Sequence, residues 1–144
     1  ISSNSNRSKL LLKKISSILR NKFKNKKICF LGVTFKANTD DMRGSSCLNL
    51  IPFLLNKGSF INYFDPTGEK KELKKFKNVR FSNSVKHACY KSDLIIIHSE
   101  WNEFKSLNFN KLVNKKNYSI YDFRNTYSPE KMKKLKIKYF SIGR

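Results

Sequence analysis

Lys27-Ile28-Cys29-Phe30-Leu31-Gly32 decides the fold. Four apolar residues in a row, ending on glycine, are too few for a core helix and lack the polar alternation of a half-exposed strand. They read as a strand buried on both faces that runs into a turn. A strand of that kind needs helices above and below it, and the chain on either side supplies them.

Downstream, Leu48, Leu50, Ile51, Leu54 and Leu55 share one helical face that ends at Gly58. Pro52 fits only the first turn of a helix, which sets the expected start near Leu50. Phe60–Phe64 is a second strand, closed by the turn Asp65-Pro66. Asn78–Phe81 is a short strand, and Ser84 caps a short helix through Tyr90. Leu94–His98, bare of charge, is a central strand. A helix over Leu107–Val113, a strand over Tyr118–Asp122, a helix from Pro129 to Leu135 and a last strand, Tyr139–Ile142, complete the series. Upstream, Leu11, Ile15, Ile18 and Leu19 put an apolar stripe on a helix from Asn6 to Lys24, after a frayed start at residues 1–5. That stripe must cover this domain, another domain or a second subunit. The alternation of strand and helix predicts an α/β fold: Rossmann-like, doubly wound, with a mainly parallel sheet preceded by an N-terminal helix.

Composition narrows the class. The 144 residues are the size of one domain, and no apolar run approaches the roughly 20 residues of a membrane helix. The chain begins at Ile1, without the pattern of a secretory leader, and reads as a piece of something longer. Cys29, Cys47 and Cys89 are odd in number and far apart. They read as reduced, buried residues of a cytoplasmic protein, with no metal site. The net charge of +21 invites a nucleic-acid reading. However, only 6 of the 31 basic residues are arginine, and the lysines are scattered rather than striped. Bidentate readout of phosphate or guanine favours arginine, so nucleic acid is a disfavoured partner.

Three polar segments fall at the carboxyl ends of strands, where sheets of this type gather their ligand loops: Thr34–Arg43, Ser99–Phe104 and Asp122–Asn125. They are expected to meet in space. The first lacks the GxGxxG fingerprint of a dinucleotide loop, since Gly32 stands alone. Asp65 imitates the position of a ribose-binding acid but reads as part of a turn. Lys36 and Arg43 suit phosphate oxygens, Phe35 suits the apolar wall of a nucleotide pocket, and Asp40 and Asp41 could brace the loop or bind ribose. A functional loop and a salt-bridged surface loop are equally open at this point. Trp101 reads as a loop anchor, Glu100 as the partner of a nearby lysine, His98 as a packed histidine and His87 as a surface residue.

Gly32-Val33-Thr34-Phe35-Lys36-Ala37-Asn38-Thr39-Asp40-Asp41-Met42-Arg43 resembles the start of the C-terminal domain of the UDP-glucose/GDP-mannose dehydrogenase family. Tyr63-Phe64-Asp65-Pro66, Ser99–Phe104, Asp122-Phe123-Arg124-Asn125 and the terminal Tyr139–Arg144 extend the resemblance in the same order, and the Trp101-x-x-Phe104 segment and the Ile142-Gly143-Arg144 ending most resemble the UDP-glucose branch. The resemblance implies an NAD-dependent oxidation of a sugar C6 alcohol to a carboxylate, cytoplasmic and serving polysaccharide biosynthesis. By position, Phe35, Lys36 and Arg124 match substrate-binding residues for UDP-glucose or a related nucleotide sugar, and Arg43 matches a cofactor-binding residue. Residues 1–25 match the end of a central helix that builds a homodimer, and residues 26–144 match the UDP-binding domain. NAD is implied to sit mainly in a glycine-rich N-terminal domain that this sequence does not include. None of the three cysteines has the context of the family's catalytic cysteine, so no residue here is read as catalytic, and the piece alone is expected to be inactive. A domain for another UDP-sugar or for GDP-mannose, or a non-catalytic nucleotide-sugar module, is the alternative.

Overall fold

The computed structural model describes residues 3–143. Six strands form one sheet in the order β3-β2-β1-β4-β5-β6, and every neighbouring pair is parallel. The strands are β1 (Lys27–Leu31), β2 (Phe60–Phe64), β3 (Val79–Phe81), β4 (Leu94–Ile97), β5 (Ser119–Asp122) and β6 (Lys138–Ser141). The helices are α1 (Ser3–Ile18), α2 (Cys47–Asn56), α3 (Lys71–Lys74), α4 (Val85–Cys89), α5 (Phe109–Val113) and α6 (Pro129–Lys134). The order reverses between β1 and β4, which makes a crevice at their carboxyl ends.

The period-two geometry of a strand explains why the opening hexapeptide is apolar throughout. Ile28 and Phe30 enter one core with Leu11 and Ile15 of α1 and Leu50, Ile51 and Leu54 of α2. Cys29 and Leu31 enter the other, with Ala88 and Cys89 of α4, Val113 of α5 and Met132 of α6. Leu94 and Ile96 of β4 face the first core, Ile95 and Ile97 the second. All these strand residues are buried. Burial of each large aliphatic side chain contributes about 1.5–3 kcal/mol.

Three expectations need correction. First, α1 begins at Ser3, and only residues 1 and 2 of the expected frayed start lie outside the described residues. It ends at Ile18, not Lys24, because Arg20 and Asn21 turn left-handed (φ 53° and 59°) and the Asn21 N–H bonds back to the Ser16 carbonyl at 2.8 Å. That reversal satisfies a terminal carbonyl and releases Phe23 into the core. Second, α2 starts at Cys47 with Pro52 inside it. Leu48, four residues earlier, is exposed, so solvent reaches the turn that lacks the proline's N–H. Third, α3 and a short 3-10 turn over Asn102–Phe104 have no counterpart in the sequence reading.

The stripe on α1 covers this domain itself. Leu11, Ile15 and Leu19 are buried against the sheet, and the Lys14 ammonium sits 5.1 Å from the centre of the Phe140 ring. All three cysteines are buried and unpaired. Burial raises the Cys29 and Cys47 thiols above their ordinary range, so both stay protonated.

Candidate functional site

The end of β1 is built around one glycine. Gly32 has a φ of 78°, and a Cβ there would lie 2.7 Å from the Ser99 Cβ, so the loops after β1 and β4 touch only because a side chain is absent. Ser99 Oγ donates to the Thr34 carbonyl (3.1 Å), and Thr34 Oγ1 donates to the Lys36 carbonyl (2.8 Å). The loop closes where the Phe35 N–H bonds to the Asp41 carbonyl (3.0 Å). Gly44 underlies Phe35: a Cβ there would come 3.2 Å from a ring carbon.

Arg43 leaves this group. Its guanidinium is paired with Asp41 (Nε–Oδ1 3.0 Å, Nη2–Oδ2 3.1 Å) with the arginine side chain 93% exposed. The pair lowers the Asp41 carboxyl below its ordinary range, chiefly through the side-chain hydrogen bond. Asp65 does not have the freedom to hold a ribose. It is buried at the end of β2, where Oδ2 accepts from the Val33 N–H (2.9 Å) and Oδ1 from the Thr67 N–H (2.9 Å). It ties the β1 loop to the turn after β2, which also carries a Gly68 N–H to Asp65 carbonyl bond of 2.9 Å.

At the end of β5, a second buried carboxylate organises the loop that follows. Asp122 accepts from the N–H groups of Arg124 (3.0 Å), Thr126 (2.7 Å) and Tyr127 (3.1 Å), and from the Tyr139 hydroxyl (2.6 Å). The loop so fixed presents Arg124, whose Nε donates to the His98 carbonyl (3.0 Å) and Nη2 to the Phe35 carbonyl (3.4 Å). One arginine thus links the carboxyl ends of β1, β4 and β5. Burial is the main influence lowering its pKa, and the neighbouring Arg7 adds to it.

His98 lies beneath, with its ring between Phe30 and Phe123 at centroid distances of 6.5 and 5.7 Å. The single Ser99 hydroxyl proton goes to Thr34, so the Nδ1 that meets Ser99 Oγ at 3.3 Å carries its own hydrogen. Burial, with Arg124 and Arg7 on the same side of the balance, pushes His98 down to about 3, which keeps the ring neutral.

These groups enclose a cavity of about 360 Å³. Phe35, Lys36 and Gly44 line it from the β1 loop, Ser46 from the start of α2, His98 from β4, Phe123 and Arg124 from the β5 loop, and Arg7 from α1. Of the candidate residues, Phe35, Lys36 and Arg124 come together, whereas Arg43 stands outside the lining. Of the three segments expected to meet, the β1 and β5 loops do so through His98 and Ser99. The rest of the β4 segment turns away: Phe104 and Trp101 pack in the second core and Glu100 pairs with Lys105 at 3.8 Å. His87 is exposed. Arg7 was not singled out from the sequence, yet it stands four and eight residues before Leu11 and Ile15, exposed but in line with the buried stripe of α1.

A cavity lined by two arginines, a lysine and two phenyl rings, with no carboxylate, can hold an anion attached to a flat or apolar group. It does not suit a whole dinucleotide, because the β1 loop has no glycine cradle and Asp65 is occupied.

Residues 29–129 match the UDP-glucose/GDP-mannose dehydrogenase family, UDP binding domain. Among curated relatives, the UDP-glucose 6-dehydrogenase of Rickettsia conorii is 40% identical over 147 residues, covering 99% of this chain and 34% of its own length. That of Rhizobium meliloti is 32% identical, covering 98% and 32%. The chain therefore spans about a third of these relatives. Among solved structures, the NDP-N-acetyl-D-galactosaminuronic acid dehydrogenase of Methanosarcina mazei superposes with a TM-score of 0.81 at 22% identity, over 95% of this chain and 29% of the other, a likeness of fold.

Proposed function

The chain belongs to the UDP-glucose/GDP-mannose dehydrogenase family, as its UDP binding domain, and from that premise we propose that its cavity takes the UDP part of a nucleotide sugar. The observation that carries this is the convergence of Phe35, Lys36 and Arg124 on one cavity without a carboxylate. Lys36 and Arg124 hold diphosphate oxygens through charge-assisted hydrogen bonds, each contributing about 1.5–3 kcal/mol. Phe35, 48% exposed, offers an apolar face to the nucleoside. Asp122 and Gly44 act through geometry, fixing Arg124 and giving room to the Phe35 ring.

The whole protein, in this reading, is an NAD-dependent UDP-glucose 6-dehydrogenase that oxidises the sugar C6 alcohol to the carboxylate. NAD rests mainly on parts of the protein outside this chain, with Arg43, free at the surface apart from Asp41, reaching it from across a cleft. Residues 1–25 correspond to the end of a central helix, helical here over Ser3–Ile18, that contributes to a homodimer, which the 70% exposed Leu10 supports. Residues 26–144 form the nucleotide-sugar domain. The cytoplasm is the natural compartment for three buried, unpaired thiols.

Isothermal titration with UDP, UDP-glucose and a DNA oligomer tests the reading. UDP and UDP-glucose are expected to bind, and Arg124→Ala is expected to abolish or severely weaken both. Salt-sensitive DNA binding with no UDP binding would overturn it.

A further inference from the structure

The cavity is not made by the α/β domain alone. Arg7 reaches it from α1. The helical repeat sets Arg7 one and two turns before Leu11 and Ile15, which are buried against the sheet, and its exposed side chain borders the cavity. The neighbouring Ser8 is buried, and its hydroxyl meets the Asn49 amide of α2 at 3.2 Å, which fixes the first turns of α1 beside the start of α2. The charge of Arg7 is felt at His98, at Tyr121 and at Arg124. Among the described residues the ion pairs are Arg43 with Asp41, Lys105 with Glu100, and Lys115 with Asp93, so no carboxylate answers Arg7. A guanidinium held near a second one, beside a histidine kept neutral, is a repulsive arrangement that an incoming anion relieves.

We propose that Arg7 is a third cationic ligand of the nucleotide diphosphate, beside Lys36 and Arg124, so that nucleotide binding ties α1 to the α/β domain. This rests on the reading that the cavity takes UDP. Its consequence is that affinity for the diphosphate depends on a helix outside the sheet, through an exposed residue in line with the buried stripe of that helix. Any displacement of α1 would then be sensed at the nucleotide.

The test is isothermal titration of the full chain with UDP and with inorganic pyrophosphate, on the wild type, Arg7→Gln, Arg7→Lys and Lys86→Gln. Lys86 is exposed on α4 and controls for the loss of one charge from a chain of net charge +21. Arg7→Gln is expected to weaken UDP and pyrophosphate at least tenfold and by similar factors, Arg7→Lys to recover part of the loss, and Lys86→Gln to change either by less than twofold. The melting temperature of each unliganded variant should match the wild type, because Arg7 is exposed. Arg7→Gln binding UDP within twofold of the wild type would overturn the role of Arg7 and leave the nucleotide reading standing. Weakened UDP with unchanged pyrophosphate would overturn the phosphate contact. A wild type that binds neither ligand would overturn both readings.

Discussion

The loops after β1 and β5 both end strands of the same sheet and both face the cavity, yet they are held in opposite ways. The β5 loop is wrapped around one buried carboxylate, Asp122, which accepts from three backbone N–H groups and a tyrosine hydroxyl. The β1 loop is held at its base by buried groups, Ser99 and Asp65, but its outer arm is closed by an exposed Asp41–Arg43 pair. Rigidity is concentrated on the β5 side of the cavity. Arg124 is offered from a frame in which almost every donor is answered, whereas Phe35 and Lys36 are offered from an arm that solvent can loosen. In the proposed reading, a fixed arginine sets the anion position and the β1 arm adapts around it.

The strongest way to break that contrast is Asp122→Ala. Four donors lose this acceptor at once: the Tyr139 hydroxyl keeps the Tyr127 carbonyl at 3.0 Å, but the other three are backbone groups in a partly buried loop. Unsatisfied buried groups cost about 1–3 kcal/mol each, and partial rearrangement recovers some of this. The expected loss is about 4 kcal/mol or more in urea unfolding, with UDP binding abolished because Arg124 is released. An unfolding midpoint near that of the wild type would mean that the loop is held by something else.

His98 lies between the two loops and gives the next effect. Its folded pKa is about 3, below the ordinary histidine value of 6.5, because of burial and of Arg124 and Arg7. Below pH 6.5 the unfolded chain therefore binds a proton that the folded chain refuses. Stability is unaffected by this group above pH 6.5 and falls as the pH drops from 6.5 towards 3. At about 1.4 kcal/mol per pH unit, the loss reaches about 3 kcal/mol by pH 4. His98→Gln should flatten this part of the profile when unfolding is followed from pH 7 to 4. A profile as steep as that of the wild type would assign the slope to the carboxylates instead.

Arg124→Ala sharpens the comparison from the ligand side. Its own hydrogen bonds go to two carbonyls at the cavity rim, at 3.0 and 3.4 Å, so the fold should lose little. Affinity for UDP should fall by about 2 kcal/mol, or roughly thirtyfold, from loss of one charge-assisted contact. Lys36→Ala, on the adaptable arm, should cost less than Arg124→Ala in the same titration. The reverse order would remove the distinction between the fixed and the adaptable side.

Much of this architecture was legible in the sequence because short apolar runs closed by turn residues leave a plain mark. Lys27–Leu31 and Phe60–Phe64 are strands as read, the strand expected over Leu94–His98 runs Leu94–Ile97, and the sheet expected to be mainly parallel is wholly so. Ser84 and Pro129 mark helix starts through local chemistry that does not depend on distant residues: Ser84 Oγ accepts from the His87 N–H at 3.1 Å, and Pro129 follows its Ser128 cap. What the sequence hid depends on tertiary context. Pro52 argued for a late start to α2, because the rule for proline in helices takes no account of an outer turn open to water. The end of α1 rests on two left-handed residues, Arg20 and Asn21, neither of them glycine. Arg7 was passed over because a polar residue at the head of an apolar stripe looks like solvent-facing helix. Only the fold shows that the stripe continues to the cavity mouth. The apolar β4 strand gave no sign that Glu100–Phe104 would turn away from the other two segments.

The smallest expected effect concerns the pair that closes the outer arm. Arg43 lowers the Asp41 pKa, so the pair contributes stability that is present above the ordinary carboxylate range and lost as the pH falls through the lowered folded value. The arginine is almost wholly exposed, and water and salt screen such a pair nearly completely. Arg43→Gln should therefore leave the unfolding midpoint at pH 7 unchanged within error, and the Asp41→Asn, Arg43→Gln double-mutant cycle should give no measurable coupling energy in 0.15 M salt. The same exposure permits Arg43 to exchange Asp41 for an anionic partner at little structural loss, as the proposed cofactor contact would require. A coupling that persists in high salt would mean that the β1 arm is as firmly built as the β5 loop, and the contrast between a fixed and an adaptable wall would fail.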